Sequence, residues 1–303
     1  MLENSGQIIQ KRILKETLTN ILIRSEDSVS ELKQEFLKRS ITAIFISAIV
    51  ITLILYSSNL ILNIFISILS LALFLEWMSV SESSNGKRLI FLIMFIILIS
   101  ANRYFGGLFE PISFITMLGI TVWIVVAYQI FFKQGRLSSN FAFNNFWVGL
   151  LLISAFCLVC FQLVTGSRIF LLAVIFNIAV FDTGAYIIGK NLGKNSFLPK
   201  LSPNKTIEGL IGGLISSLFF VICAYLFLEE ISLVHALTMV LVIPFALCGD
   251  YFFSFLKRKA GVKDTGSILP GHGGLLDRVD SHLAAIPMTL FFSLLLYTAG
   301  SYF

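Results

Sequence analysis

Charged residues are scarce in this sequence. Asp, Glu, Lys and Arg make up 13% of its 303 residues, whereas soluble domains carry about 25%. Hydrophobic residues reach 57%, and the mean hydropathy is +0.91. This composition excludes an ordinary soluble domain and favours an integral membrane protein. The apolar runs are continuous rather than alternating, so they predict membrane-spanning helices and not the strands of a barrel.

Cysteine is also scarce, and its four positions do not indicate a disulfide framework. Cys157 and Cys160 form a C-x-x-C pair, but the pair lies within the apolar run 146–164. Redox and metal-binding pairs usually sit in polar loops with further ligands nearby. Cys223 and Cys248 also lie in apolar segments, so packing within the bilayer accounts for all four.

The apolar runs predict nine membrane spans, at residues 41–56, 60–78, 88–102, 112–132, 146–164, 169–189, 207–228, 233–255 and 282–300. If the N-terminus is cytoplasmic, 20 of the 22 Lys and Arg residues lie on the cytoplasmic side, and only Arg103 and Arg168 lie outside. Cytoplasmic loops are enriched in Lys and Arg. The predicted fold class is therefore an all-α, polytopic integral membrane protein with a cytoplasmic N-terminus and the C-terminus outside.

The longest polar segment is residues 1–40, which precede a transmembrane domain predicted over 41–303. Apolar residues in this arm recur at helical spacing, which fits a helix lying on the lipid headgroups, and a solvated tail fits equally well. The arm does not resemble a secretory signal, because its polar stretch is too long. The two halves of the chain show no clear repeat, although many secondary transporters have one.

The densest group of charges lies between Ser254 and Asp280. This stretch holds five Lys or Arg, three Asp, one His and five Gly between two apolar segments. Basic groups suit phosphates, carboxylates suit a metal ion, and glycines let the backbone approach both. The combination predicts phosphoryl or nucleotidyl transfer at the cytoplasmic surface of a membrane.

Asp250, Ser254 and Lys257 precede and enter this stretch at positions i, i+4 and i+7, so they share one face of a helix. An acid, a hydroxyl and a cation in line suggest a track for a metal ion and phosphates. The structural alternative is a buried Asp250 that is satisfied by Ser254 or by a neighbouring lysine.

The segment Gly271–Gly274 allows backbone N–H groups to turn toward an anion. Asp277 and Asp280 follow, just before the ninth span, and Mg²⁺ commonly takes one or two carboxylates together with substrate phosphates. The structural alternative for Asp280 is an N-cap of that span. His272 is expected to position phosphate rather than act as a base, because a phosphate monoester is already mostly ionised at pH 7.

Asp182 lies inside the sixth predicted span. An aspartate in the membrane is costly, so it usually faces a cavity or a partner. Tyr186 lies four residues later, on the same helical face.

The segment Ser202–Thr206 comes just before the seventh span, where donors at a helix N-terminus suit phosphate. The structural alternative is a helix cap by Ser202 or Asn204, with Lys205 snorkelling to the interface. Gly209 and Gly213, within the seventh span, are explained by close helix packing.

Three segments, in this order, resemble the phosphatidate cytidylyltransferases, also called CDP-diacylglycerol synthases. The first two are DTGAY at Asp182–Tyr186 and SPNKTIEG at Ser202–Gly209. The third is Ser254–Asp280, which matches through SFLKR, KD, PGHGG and DRVD. The resemblance covers about residues 170–290, while the N-terminal half matches only in being hydrophobic and the arm is longer than in the bacterial form.

The resemblance implies the reaction of CTP with phosphatidic acid to give CDP-diacylglycerol and pyrophosphate, with Mg²⁺ and a possible second cation. It also implies a homodimer in the bacterial cytoplasmic membrane, with the site in a cavity that faces the cytoplasm. No nucleic-acid partner is expected.

The same resemblance implies roles for individual residues. Asp250 and Asp277 match the metal-binding positions. The basic residues expected to neutralise the triphosphate and the lipid headgroup are Lys205, Lys257, Arg258, Lys263 and Arg278. The acids expected to ligate metal or orient these cations are Asp182, Asp264 and Asp280. Further contacts to nucleotide or phosphate are expected from Ser202, Thr206, Ser254, His272, Gly273 and Gly274.

Two other functions remain compatible with the sequence. A related CTP-dependent enzyme acting on an ether-linked or polyprenyl lipid phosphate could share the same motif. A transporter would carry ionisable residues along its spans, whereas the charge here is concentrated at one face.

Overall fold

The computed structural model describes residues 44–45, 47–81, 114–133, 146–199, 202–266 and 273–300. The chain divides into two compact units, Met1–Thr52 and Leu53–Phe303, and nearly all described residues belong to the second. The predicted arm at 1–40, the predicted third span at 88–102 and His272 lie outside the described residues.

The described chain is mostly helical, as predicted. The helices are α1 (Ser47–Tyr56), α2 (Asn59–Val80), α3 (Phe114–Phe132), α4 (Phe146–Gly166), α5 (Arg168–Leu192), α6 (Ile207–Phe227), α7 (Leu233–Leu241), α8 (Ile243–Lys259) and α9 (Leu276–Gly300). Seven described segments are long and apolar enough to cross a membrane, with α7 and α8 counted together as one segment and α1 shorter than the others. The chain therefore has the helices of a multi-pass membrane protein. Its four cysteines form no disulfide, as predicted.

A small antiparallel sheet departs from the all-α prediction. Strand β1 (Ser196–Leu198) pairs with strand β2 (Ser202–Thr206), with Ser196 opposite Thr206. A three-residue strand is too short to show a period of two, so the sequence pattern did not reveal it. The hairpin leads directly into α6, where the Thr206 side chain accepts a hydrogen bond from Gly209 N at 3.1 Å. Thr206 is therefore the N-cap, in place of Ser202 or Asn204.

Two helix boundaries also differ from the prediction. The eighth predicted span is divided at Val242 into α7 and α8, and Pro244 occupies the first turn of α8, where proline is well tolerated. Helix α9 begins at Leu276 rather than at residue 282. Asp280 consequently lies inside the helix, so the interpretation of Asp280 as its N-cap is wrong.

Helices α5 and α6 approach each other closely. A Cβ added at Gly209 would lie 2.7 Å from the Ala185 carbonyl oxygen, and one at Gly213 would lie 2.7 Å from the Phe181 carbonyl oxygen. Small residues allow helix backbones to approach in this way. The predicted packing role of Gly209 and Gly213 is confirmed, and the contact fixes the end of α5 beside the hairpin.

Gly209→Ala is expected to lower the free energy of unfolding by about 1–3 kcal/mol, because the new methyl group meets backbone that cannot rotate away. Gly166→Ala is the matched control, since a Cβ at that helical position meets nothing within 4 Å. Thermal unfolding in detergent would measure both variants. Equal midpoints for the two would contradict the prediction.

The connection between α1 and α2 meets the start of α5. Arg168 donates hydrogen bonds to the carbonyl oxygens of Ser57 (2.6 Å) and Ile54 (3.2 Å) and to the Asn59 side chain. These bonds satisfy backbone carbonyls that the end of α1 leaves free. The connection between α1 and α2 and the connection between α4 and α5 therefore lie at the same end of the described helices.

Candidate active site

A cavity of about 680 Å³ lies at the other end of these helices. It is enclosed by the C-terminal half of α5, the β-hairpin, the start of α6, the middle of α8 and the start of α9. Its size suits a small-molecule ligand. The polar residues that line it are Asp182, Lys190, Ser202, Asn204, Lys205, Thr206, Asp250, Asp277, Arg278, Asp280 and Ser281, and the aromatic ones are Phe181, Tyr186, Phe197 and Tyr251.

The cavity brings together half of the predicted site residues. Those that line it are Asp182, Ser202, Lys205, Thr206, Asp250, Asp277, Arg278 and Asp280. Those described outside its lining are Ser254, Lys257, Arg258, Lys263, Asp264, Gly273 and Gly274. Of this second group, Lys257 and Gly274 reach the site indirectly, through contacts with Asp277.

Lys205 extends from β2 into the cavity and forms an ion pair with Asp250 of α8. Its Nζ also lies 4.6 Å from the centroid of the Tyr251 ring, as in a cation–π contact. Burial lowers the pKa of Lys205 to about 8, and the attraction of Asp280 and Asp182 opposes that shift. The side chain therefore points inward to carboxylates and does not snorkel to the interface.

Asp277 has a bonding partner at each carboxylate oxygen, and its side chain is only 8% exposed. Oδ1 accepts a hydrogen bond from Lys257 Nζ at 2.8 Å. Oδ2 lies within hydrogen-bond distance of Thr265 N (2.9 Å), Thr265 Oγ1 (3.1 Å) and Gly274 N (3.1 Å). Asp277 thus contacts the end of α8 and both described ends of the charged loop, which we define as residues 260–275 between α8 and α9.

Asp182 and Asp280 form a second pair of acids, on α5 and α9. The two carboxylates are close enough to repel each other. The Ser281 side chain lies beside Asp182, and Asp280 Oδ1 accepts a hydrogen bond from Ser281 N at 2.8 Å. The two direct ion pairs found among the described residues go to Asp250 and Asp277. Among the described residues, therefore, no lysine or arginine forms a direct ion pair with Asp182 or Asp280.

The donor set can be compared with the needs of Mg²⁺. Within the described ranges, no group of three or more His, Cys, Asp or Glu side chains is arranged to hold a metal ion by itself. Mg²⁺ usually needs only one or two carboxylates, because substrate phosphates supply further oxygens. The carboxylates of Asp182, Asp250 and Asp280 fit that chemistry. Asp277 can contribute only Oδ1, since Oδ2 is occupied by its hydrogen bonds.

Sequence reasoning missed Glu76, a buried acid near the C-terminal end of α2. Its carboxylate accepts hydrogen bonds from Leu275 N (2.9 Å), Leu276 N (2.7 Å) and Thr265 Oγ1 (3.2 Å). A signal was present, because Glu76 is the only charged residue in the predicted span 60–78. An acid in an apolar span calls for a partner there as it does at Asp182.

Comparison with known proteins identifies the family of this chain. The sequence model of the cytidylyltransferase family matches residues 37–296. This chain belongs to the cytidylyltransferase family. The match includes the N-terminal half, beyond the region 170–290 on which the predicted resemblance rested, and it makes the protein a nucleotidyltransferase.

Similar members of the family are found in staphylococci. A protein of Staphylococcus aureus (strain COL) is 33% identical over 266 residues, which are 82% of this chain and 96% of the relative. A protein of Staphylococcus haemolyticus is 51% identical over 110 residues, which are 35% of this chain and 42% of the relative. One from Staphylococcus saprophyticus is 47% identical over 109 residues, with 35% and 42% covered. All three are named phosphatidate cytidylyltransferase.

Proposed function

We propose that this protein is a phosphatidate cytidylyltransferase, which converts CTP and phosphatidic acid to CDP-diacylglycerol and pyrophosphate. The observation that carries the proposal is the cavity at the helix ends, where four aspartates and Lys205 converge. A relative that aligns over 96% of its own length bears the name of this activity.

The proposed reaction is a substitution at phosphorus. A phosphate oxygen of phosphatidic acid attacks the α-phosphorus of CTP, and a new P–O bond forms. The bond from that phosphorus to the oxygen bridging to the β-phosphate breaks, and pyrophosphate leaves with the electron pair. The attacking monoester has a second pKa of about 6, so it is mostly a dianion at pH 7 and needs no protein base. The protein then contributes positioning and charge neutralisation.

The basic residues around the cavity can neutralise the charge of the phosphates and position them. Lys205 presents its ammonium inside the cavity and Arg278 lies on its wall. Lys257 stands behind Asp277. The exposed residues Arg258 and Lys263 add positive charge nearby, where a triphosphate would approach from water. Pairing with Asp250 and Asp277 holds the ammonium groups of Lys205 and Lys257 beside these two carboxylates.

The proposed ligands of Mg²⁺ are Asp250 and Asp277, with Asp182 and Asp280 available to a second cation. When bound, Mg²⁺ would neutralise charge on the phosphates of CTP and make the α-phosphorus more electrophilic. Lys205 and Lys257 contact these two carboxylates and balance their charge. The same lysines lie where they can turn toward substrate phosphates.

The proposed membrane arrangement has nine spans, a cytoplasmic N-terminus and an active site that faces the cytoplasm of a bacterial cell. The distribution of Lys and Arg supports this orientation. The contact of Arg168 with the connection between α1 and α2 is consistent with nine spans, because that arrangement puts Arg168 and this connection on the same side of the membrane. Phosphatidic acid would enter from the bilayer and CTP from water. A homodimer is proposed from the family resemblance.

The purified protein is expected to transfer label from CTP labelled in its α-phosphate to phosphatidic acid in mixed micelles. Omission of Mg²⁺, or addition of EDTA, is expected to abolish the product. CTP labelled in its γ-phosphate is the control, because nucleotidyl transfer leaves that label in pyrophosphate. Product only with an ether-linked phosphatidate or a polyprenyl phosphate would replace the proposed acceptor. Absence of lipid product with every acceptor, from folded protein, would refute the proposed reaction.

A further inference from the structure

Glu76 lies outside the lining of the cavity, yet it contacts the segments that carry the site. Its two carboxylate oxygens accept hydrogen bonds from Leu275 N, immediately before α9, and from Leu276 N, at the first residue of α9. The first N–H groups of a helix have no partner within the helix. Glu76 therefore caps α9 from a different helix, and its negative charge suits the positive end of the α9 dipole.

The same end of α2 also holds the other side of the charged loop. Ser79 Oγ lies 2.8 Å from the Thr265 carbonyl oxygen. The Thr265 hydroxyl lies within hydrogen-bond distance of both Glu76 (3.2 Å) and Asp277 (3.1 Å). Glu76 and Asp277 are thus joined through Thr265 in one polar network.

The loop backbone packs directly against the Glu76 carboxylate. A Cβ at Gly266 would lie 2.5 Å from Glu76 Oε1, and one at Gly274 would lie 2.7 Å from Oε2. These distances are too short for a side chain at either position. The two described ends of the charged loop therefore approach each other at Glu76, which is only 4% exposed.

We propose that Glu76 is a positioning residue of the active site. It holds Thr265 and the first turn of α9 together, and in this way it fixes the Asp277 carboxylate against Lys257. Glu76 accepts a hydrogen bond from the N–H of Leu276, and Asp277 is the next residue. Movement of that turn would therefore move Asp277. The catalytic part of this inference rests on the proposed function.

Glu76→Gln tests the role with little change in volume. The glutamine amide group presents N–H donors in place of one acceptor oxygen, so a buried backbone N–H loses its partner. A displacement of about 1 Å in a catalytic group can cost up to about 100-fold in rate. We expect kcat to fall about 10- to 100-fold, while KM for CTP stays within about twofold of the wild-type value.

Amide hydrogen exchange followed by mass spectrometry gives a readout that does not depend on activity. In Glu76→Gln, peptides containing Thr265 and residues 273–280 are expected to exchange faster, while peptides from α5 and α6 keep the wild-type rate. Ser67→Ala is the control in the same helix, because the one hydrogen bond of the Ser67 hydroxyl within the described residues goes to Asn63 O, one turn earlier. It is expected to change neither exchange nor kcat.

Thr265→Val separates positioning from a general loss of stability. If Glu76 acts through Thr265 and Asp277, the rate losses of Glu76→Gln and Thr265→Val should combine to less than their product. Unchanged kcat in Glu76→Gln, or faster exchange throughout all helices, would overturn the proposal. Failure of the wild type to react with any lipid acceptor would refute the proposed function instead, and the exchange data would still decide whether Glu76 holds the two segments.

Discussion

Asp277→Asn is expected to lower the rate of CDP-lipid formation by about 100- to 1000-fold, as removal of a preorganised electrostatic group typically does. The variant removes the charge that pairs with Lys257. It also replaces one acceptor oxygen by an amide N–H group near Thr265 N and Gly274 N, which are themselves donors. Both effects displace the Lys257 side chain and the start of α9. Initial rates with labelled CTP would measure the loss.

Loss of Asp277 is also expected to destabilise the fold by about 3 kcal/mol, because it removes one partner of a largely buried ion pair. The double variant Asp277→Asn/Lys257→Met removes both partners, and it should regain much of the thermal midpoint without regaining activity. This comparison separates the structural ion pair from its part in the reaction. Wild-type activity in the double variant would show that the pair has a structural role only.

Asp250→Asn is expected to have an effect of similar size, about 100- to 1000-fold on the rate. Asp250 faces the cavity and holds Lys205 beside the Tyr251 ring. Its replacement removes a proposed Mg²⁺ ligand and frees the Lys205 ammonium to bind other anions. Binding to the folded state alone raises stability, so CTP with Mg²⁺ should raise the thermal midpoint of the wild type and raise that of Asp250→Asn much less.

Glu229→Gln is the matched control for Asp250→Asn. It makes the same change from acid to amide at an exposed position between α6 and α7, at the opposite end of α6 from the hairpin. It should retain the wild-type rate and the wild-type response to CTP with Mg²⁺. If Asp250→Asn retained both as well, Asp250 would have no role in holding the metal or the nucleotide.

Two kinds of site and packing residue could be predicted from the sequence: charged residues inside apolar spans, and small residues that recur at helical spacing. Asp182 and Asp250 stand out inside apolar spans, and both line the cavity. Gly209 and Gly213 follow the spacing of small residues in packed helices, and close packing is what they provide. Local sequence carries these signals, so they could be read without knowledge of the fold.

The rest could not be predicted because it depends on contacts distant in the sequence. Lys257 was expected to bind phosphate, and its hydrogen bond to Asp277 joins two helices across the loop. The hairpin is defined by pairing between two short strands, which leaves no pattern within either strand. A lone charge in an apolar span marked Glu76, but its role could not be predicted, because its hydrogen-bond partners lie in a different part of the chain.

The hydrogen bonds of Glu76 have a consequence for biogenesis. Thr265 and Leu275 are 189 and 199 residues further along the chain, so α2 is synthesised and inserted long before these partners leave the ribosome. Until then the Glu76 carboxylate lacks the donors that satisfy it in the finished protein. Insertion of α9 supplies two of them and at the same time delivers Asp277 to the cavity. The backbone donors that satisfy the acid in α2 and the Asp277 carboxylate of the proposed active site therefore reach this part of the protein together.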